Sequence, residues 1–94
     1  MIIGVDVGGT KTLVALFNEQ GEIVKQIKQP TNKDYDHFLS DLKHMILETG
    51  VTETEVEAIA IALPGTVDYE AGVLHYAANL GWKEKDVRLS LIHI

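Results

Sequence analysis

The run from Ile2 to Leu16, IIGVDVGGTKTLVAL, constrains the fold more than any other part of the sequence. Two apolar segments flank the turn Gly8–Lys11, a pattern that is typical of a β-hairpin. The first segment, Ile2–Val7, is short, β-branched and bounded by glycine, and it predicts a strand. Because side chains alternate along a strand, three branched residues share one face, while Gly4 and Asp6 share the other.

The residues of this turn have the chemistry to hold a polyphosphate. Glycine lets backbone N–H groups approach an anion without a Cβ in the way. Thr10 adds a hydroxyl donor, Lys11 adds a cation, and Asp6 is placed to hold a phosphate-bound Mg²⁺, directly or through water. The alternative is an ordinary hairpin loop, since glycine pairs are common there, with Asp6 as a surface or turn-capping carboxylate.

Composition excludes several classes of function. The 94 residues carry 14 acidic and 8 basic side chains, a formal charge of -6. This argues against nonspecific binding to nucleic acid or an anionic membrane. The sequence has no cysteine, so it forms no disulfide and no thiolate metal site. It also shows no apolar stretch of membrane-spanning length and no signal-peptide pattern, and we therefore expect a cytoplasmic protein.

The next elements are predicted from the spacing of apolar residues and from the proline and glycine residues that end each segment. Thr12–Phe17 and Glu22–Lys28 are predicted strands, the second ended by a proline. Asp34–Thr49 predicts a helix whose apolar residues recur on one face. Asn32 is the expected N-cap, and Gly50 the expected residue just after the helix.

The second half of the chain predicts further strands. The nearly continuous apolar run Glu57–Leu63 fits a strand buried on both faces of a sheet. Val67–Asp68 and Val73–Tyr76 are expected to pair across a turn. The segment 79–82 reads as a loop, and Lys83–Leu91 as the start of a helix.

This order predicts an α/β fold. Three sequential strands form an antiparallel meander, and the strand after the helix is most simply parallel to the first. The βββαβ order is that of a ribonuclease-H-like lobe. Pro64-Gly65 ends the last strand at the crossover, where α/β folds tend to bind ligands. Asp68 is interpreted as capping the local turn, not as a base, and Trp82 as a packing residue.

Two motifs together carry a family resemblance. The hairpin DVGGTKT resembles the first phosphate motif of the superfamily of sugar kinases, actin and heat-shock-chaperone ATPases. The segment 62–68, ALPGTVD, is followed by Gly72 and then by the segment 79–82, NLGW. The combination resembles the ROK family (repressors, open reading frames and sugar kinases), from Met1 to about Leu91.

The resemblance implies an ATP-dependent kinase of hexoses or N-acetylhexosamines, with its active site in the cleft between two lobes. It implies that Gly65 lies with its backbone against the sugar and that Asn79 lies near the sugar pocket. The alternatives are that Pro64-Gly65 only ends the strand in a turn and that Asn79 makes a hydrogen bond within its loop. The residues that match the ATP-phosphate hairpin are Asp6, Gly8, Gly9, Thr10 and Lys11. Asp6 is also the implied contact of Mg²⁺, through water.

The chain departs from the family where catalysis is concerned. ROK kinases have a downstream Asn-Asp pair whose aspartate is the general base, a Glu-x-Gly-His stretch and a His/Cys zinc site. None of these occurs here. We therefore expect residues 1–94 to be the N-terminal ATPase-type lobe, truncated before the base, with no catalytic residue and no zinc site of its own. The tail Leu89–Ile94 also resembles the family less than what precedes it.

The family resemblance leaves more than one function open. The first expectation is conversion of glucose to glucose 6-phosphate, a glycolytic reaction, by a longer homo-oligomeric kinase in which zinc is possible. Fructose, N-acetylglucosamine and N-acetylmannosamine remain open as substrates. The partners expected are sugar and ATP, with neither nucleic acid nor membrane.

Two alternatives to a kinase come from related proteins. One is a sugar-sensing transcriptional regulator of the same family. Such regulators usually carry a helix-turn-helix before this lobe, whereas Met1 here directly precedes the first strand. The other is an actin-like or chaperone-like ATPase without a sugar substrate.

A lone lobe is also expected to expose the apolar face that meets the remainder of the protein.

Overall fold

The structure is a computed structural model that describes residues 1–68, 70–77 and 80–86. Within these ranges the chain forms a four-stranded sheet, an α-helix and a three-stranded sheet. In chain order the elements are β1 (Ile2–Val7), β2 (Lys11–Phe17), β3 (Ile23–Pro30), α1 (Tyr35–Glu48), a 3₁₀ turn (Glu53–Glu55), β4 (Ala58–Ala62), β5 (Thr66–Asp68), β6 (Val73–Ala77) and β7 (Trp82–Asp86).

The four-stranded sheet has the predicted topology. Its strand order is β3-β2-β1-β4, with β1–β2 and β2–β3 antiparallel and β1–β4 parallel. Ile2 lies opposite Ala58 and Asp6 opposite Ala62 in the parallel pair. The βββαβ order and the parallel crossover are therefore confirmed.

The N-cap of helix α1 lies two residues after the predicted one. Asp34 is the N-cap, and its side chain accepts a hydrogen bond from the backbone N–H of His37 at 3.3 Å. Asn32 instead accepts from the N–H of Asp34 at 2.9 Å, in the turn before the helix, so Asn32 as N-cap was wrong. Gly50 follows the helix with φ +82°, as predicted. No helix in the described ranges is long and apolar enough to cross a membrane.

One face of the sheet forms the core. The apolar face of α1 covers the alternating branched residues of β1 and β2, and every member of this contact is buried. The helix contributes the four residues predicted from its periodicity. They are Phe38, Leu42, Met45 and Ile46.

The opposite face of the sheet has no covering element in the described chain. Its surface is apolar and shallow because its side chains are mostly small. The residues that line it include Gly4, Leu13, Ala15, Phe17, Ala60 and Ala62. The predicted burial of the fourth strand on both faces is therefore wrong for this chain. β4 is an edge strand whose alanines are exposed, because α1 packs on one side only.

The three-stranded sheet confirms one prediction and overturns another. β5 and β6 pair antiparallel, and the Asp68 carboxylate caps their turn by accepting from the N–H groups of Glu70 at 3.1 Å and Ala71 at 3.0 Å. The helix predicted from Lys83 is wrong for residues 83–86, which belong to strand β7. Pairing with β6 overrides the helix propensity of this charged run. Residues 87–91 of that prediction lie outside the described chain.

Trp82 packs the three-stranded sheet against helix α1, which confirms its predicted packing role. Its side chain is 2% exposed, and its ring lies against Phe38 and Tyr35 at centroid distances of 4.9 and 5.2 Å. The indole Nε1–H donates to the backbone carbonyl of Lys33 at 2.7 Å. The start of β7 is thereby fixed to the segment between β3 and α1.

Candidate functional site

The turn between β1 and β2 is closed by its own backbone. The Gly8 N–H donates to the Lys11 carbonyl at 2.9 Å. A Cβ added at Gly8 would lie 3.0 Å from that carbonyl oxygen, closer than a side chain normally approaches. Neither Gly8 nor Gly9 takes a positive φ. The close approach of the two strands therefore favours glycine at position 8.

The remaining donors of the turn are available to a ligand. In the described part of the chain, the backbone N–H groups of Gly9 and Thr10 donate to no protein acceptor. The side chains of Thr10 and Lys11 are exposed beside them. Two amides, a hydroxyl and an ammonium group at one tight turn fit a polyphosphate. The Gly8 amide is already bonded to the Lys11 carbonyl within the turn. The structure therefore leaves fewer donors for phosphate than the sequence predicted.

Asp6 lies on the uncovered face of the sheet, two residues before the turn. Its carboxylate is exposed, between Leu13 of β2 and Ala62 of β4 in the sheet register. The described residues contain no group of three or more His, Asp or Glu side chains that could hold a metal ion. One carboxylate fits Mg²⁺ that is also held by phosphate oxygens and water, which is the usual arrangement for this ion.

The parallel pairing of β1 and β4 brings a second predicted segment to the same edge. Asp6 and Ala62 are opposite each other, and the chain continues from them to Gly8 and to Pro64 respectively. Gly65 follows in an exposed bend with φ +105°, a conformation that favours glycine. The glycine turn and Pro64-Gly65 therefore leave the sheet at the carboxyl ends of adjacent parallel strands, where α/β folds bind ligands.

The structure places six of the seven predicted site residues at or just beyond the same edge of the sheet. Asp6, Gly65 and the four turn residues Gly8, Gly9, Thr10 and Lys11 all belong to this edge of the sheet. Asn79, the predicted contact near the sugar, lies outside the described residues.

Sequence reasoning missed Thr31, which contacts the turn from the end of β3. Its N–H donates to the Thr10 carbonyl at 2.9 Å, and its hydroxyl donates to the Gly8 carbonyl at 2.9 Å. The Thr12 hydroxyl lies 2.8 Å from the hydroxyl oxygen of Thr31. The only sequence signal was its position directly after Pro30, which pairs with Lys11. That signal has meaning only once the β2–β3 register is known.

The mixed sheet, its parallel crossover and its glycine turn define the ribonuclease-H-like fold of the actin and sugar-kinase superfamily. The model of the ROK family matches residues 2–93, and the chain belongs to the ROK family. Both the predicted fold class and the predicted family are confirmed.

The chain is similar to curated sugar kinases. It is 28% identical over 88 residues to a glucokinase from Halalkalibacterium halodurans, which covers 87% of this chain and 27% of that protein. It is 32% identical over 74 residues to an N-acetyl-D-glucosamine kinase from Haemophilus influenzae, with coverage of 78% and 24%. The chain thus spans about a quarter of the length of these relatives.

Solved structures show the same likeness. A ROK family glucokinase from Streptomyces griseus, in complex with glucose and AMPPNP, superposes with a TM-score of 0.86 at 25% identity. The match covers 98% of this chain and 29% of that one. A ROK family transcriptional regulator, a homologue of the E. coli MLC protein, has a TM-score of 0.82 at 18% identity, with coverage of 98% and 24%. At that identity the second likeness concerns the fold alone.

Proposed function

We propose that residues 1–94 form the N-terminal ATPase-type lobe of a ROK sugar kinase that phosphorylates a hexose with ATP. Glucose is the first candidate, with glucose 6-phosphate as its product. The observation that carries this proposal is the exposed donor set of the glycine turn, on the same sheet edge as Asp6 and Gly65. The similarity to glucokinases and to an N-acetylglucosamine kinase supports the sugar class.

In this proposal the turn holds the phosphates of ATP. The amides of Gly9 and Thr10, the Thr10 hydroxyl and the Lys11 ammonium group would orient the chain of phosphates. Phosphoryl transfer needs mainly positioning and charge neutralisation, and these donors supply both. Asp6 would hold Mg²⁺ and its waters, and the bound ion would supply further neutralisation of phosphate charge.

The sugar side is less complete in this chain. Gly65 would lie with its backbone against the sugar, and Asn79 is proposed near the same pocket. The sequence has no Asn-Asp pair to supply the base that the family uses. We therefore propose that the 94-residue chain alone does not phosphorylate sugar. Zinc binding and homo-oligomerisation of a longer kinase, its glycolytic role and a cytoplasmic location stay predictions.

A coupled assay of ADP release tests the proposal. The 94-residue chain and the full-length kinase that contains it would be compared with glucose, fructose, N-acetylglucosamine and N-acetylmannosamine. We expect sugar-dependent ADP release from the longer protein and none from the chain. Asp6→Asn in the longer protein should abolish turnover without unfolding it, because Asp6 is exposed and lies outside the core.

The same assay separates the alternative functions. Sugar binding without ATP turnover would support the transcriptional regulator, whose fold this chain shares. ATP turnover that is indifferent to every sugar would support an ATPase of the actin or chaperone type. Robust glucose-dependent ADP release by the 94-residue chain would contradict the proposed absence of the base.

A further inference from the structure

We propose that Thr31 is a positioning residue, which fixes the glycine turn so that its amides face a polyphosphate. The identity of the ligand rests on the proposed function. The fixing of the turn rests on hydrogen bonds that are independent of it. Thr31 would touch neither nucleotide nor sugar, and it would act only through the backbone of residues 8–11.

The hydroxyl groups form a directed relay. Each threonine hydroxyl has a single proton, and that of Thr31 is donated to the Gly8 carbonyl. In the 2.8 Å contact between the two hydroxyls, Thr12 is therefore the donor and Thr31 the acceptor. Thr12 is only 2% exposed, so water competes poorly for this relay. The direction of every proton in the chain from Thr12 to Gly8 is thereby set.

The relay determines where the ligand-binding amide points. In a planar trans peptide the carbonyl and the following N–H point in opposite directions. Holding the Gly8 carbonyl toward Thr31 therefore directs the Gly9 N–H away from β3, on the ligand side of the turn. The Thr31 N–H holds the Thr10 carbonyl in the same way and so directs the Lys11 N–H. One residue thus sets the orientation of two peptide groups.

The residues that follow Thr31 are held in place by further hydrogen bonds. Two residues further on, the Lys33 carbonyl accepts from the Trp82 indole at 2.7 Å. Between them, Asn32 accepts from the Asp34 amide at the start of α1. The segment that fixes the turn is therefore anchored to the helix and to β7.

The test uses the 94-residue chain with Thr31→Val, which keeps the shape and removes the hydroxyl. Thr31→Ser, which keeps the hydroxyl, is the matched control. Amide hydrogen exchange of Gly8 is followed by NMR, and binding of Mg·AMPPNP is followed by the shifts of Gly9 and Thr10. We expect Thr31→Val to raise exchange and weaken binding by about tenfold, and Thr31→Ser by less than about twofold.

A second variant keeps the test decisive. Thr12→Val removes only the first bond of the relay and should weaken binding by about threefold. The fluorescence of Trp82 reports whether each variant is folded. If Thr31→Val lost that signal, Thr12→Val would carry the test.

Two results would overturn the positioning role. One is that Thr31→Val leaves both the amide exchange of Gly8 and the binding of Mg·AMPPNP unchanged. The other is a Thr31→Ser variant as impaired as Thr31→Val, since this would assign the effect to the methyl group. If Mg·AMPPNP shifted neither Gly9 nor Thr10 in the unmodified chain, the nucleotide part and the proposed function would fail. The exchange series would still decide whether Thr31 fixes the turn.

Discussion

The two faces of the four-stranded sheet are built from the same strands and differ in almost every respect. The covered face carries branched residues such as Ile3 and Val14, which are fully buried beneath α1. The uncovered face carries Gly4, Ala60 and the exposed carboxylate of Asp6. Alternation along β1 assigns one set of residues to each face.

Within a single strand, the residues that stabilise the fold therefore lie on one face, and the carboxylate proposed for chemistry lies on the other. Branched side chains on the covered face are buried in the hydrophobic core, and this burial stabilises the fold. Small side chains on the uncovered face contribute little to it. They leave room around Asp6, and they present an apolar surface that no element of the described residues covers. Substitutions on the two faces should therefore have unequal effects.

The largest effect is expected for Leu42→Ala, which opens a cavity beneath the covered face. Leu42 is 0% exposed, and its truncation should lower the free energy of unfolding by about 2–5 kcal/mol. Leu47→Ala is the matched control on the same helix. Leu47 is 58% exposed, so its truncation should cost less than about 0.5 kcal/mol. Urea unfolding followed by circular dichroism measures both, and equal losses would contradict the comparison.

The next largest loss of stability is expected in a comparison of two substitutions, Gly8→Ala and Gly4→Ala. Gly4 lies on the uncovered face. An added Cβ would meet an atom at 3.0 Å in both cases: the Lys11 carbonyl at Gly8, and the edge of the Phe17 ring at Gly4. The backbone carbonyl cannot move freely, so Gly8→Ala should cost about 1–3 kcal/mol. The partly buried ring can shift on the open face, so Gly4→Ala should be nearly neutral. A Gly4→Ala variant as unstable as Gly8→Ala would mean that this face is rigidly packed.

The smallest effect is expected at Glu55, which belongs to neither face. Its carboxylate accepts from the Thr52 amide at 3.0 Å and from the Thr52 hydroxyl at 2.8 Å, and these bonds lower its pKa below the ordinary 4.5. A lowered pKa in the folded state means that this stabilisation is present above pH 4.5. It is lost as the pH falls through the folded-state value.

Glu55→Gln should therefore cause a small loss of stability at pH 7 and a smaller loss at pH 3. Denaturant midpoints of the two chains, measured at both pH values, check this. A difference that grows toward acid pH would contradict it.

Local patterns predicted the elements that depend on local sequence. The hairpin followed from alternation around a glycine turn, and the buried face of α1 followed from its periodicity. The cap was misplaced because Asn32 and Asp34 are both good caps, and only the backbone conformation selects between them. Turn chemistry predicted Asp6 and the four turn residues as site residues, and the family resemblance added Gly65 and Asn79. The six described ones lie at or just beyond one edge of the sheet.

Two features that depend on pairing between distant segments were not predicted from the sequence. The charged run that begins at Lys83 has helix propensity, and its strand conformation comes from pairing with β6. Thr31 contacts the turn only because the β2–β3 register places it there. A threonine after a proline carries no local sign of that role.

The parallel pairing of β1 with β4 also sets an order of folding. The turn after β1 joins neighbouring strands, and hairpins form within about 1–10 μs. Pairing of Ile2 with Ala58 requires closure of a long loop that contains α1, and such contacts form more slowly. Pulsed hydrogen exchange should therefore protect β1 to β3 before β4. The side proposed to bind phosphate would exist first, and the side proposed to bind sugar would be added to it in the later step.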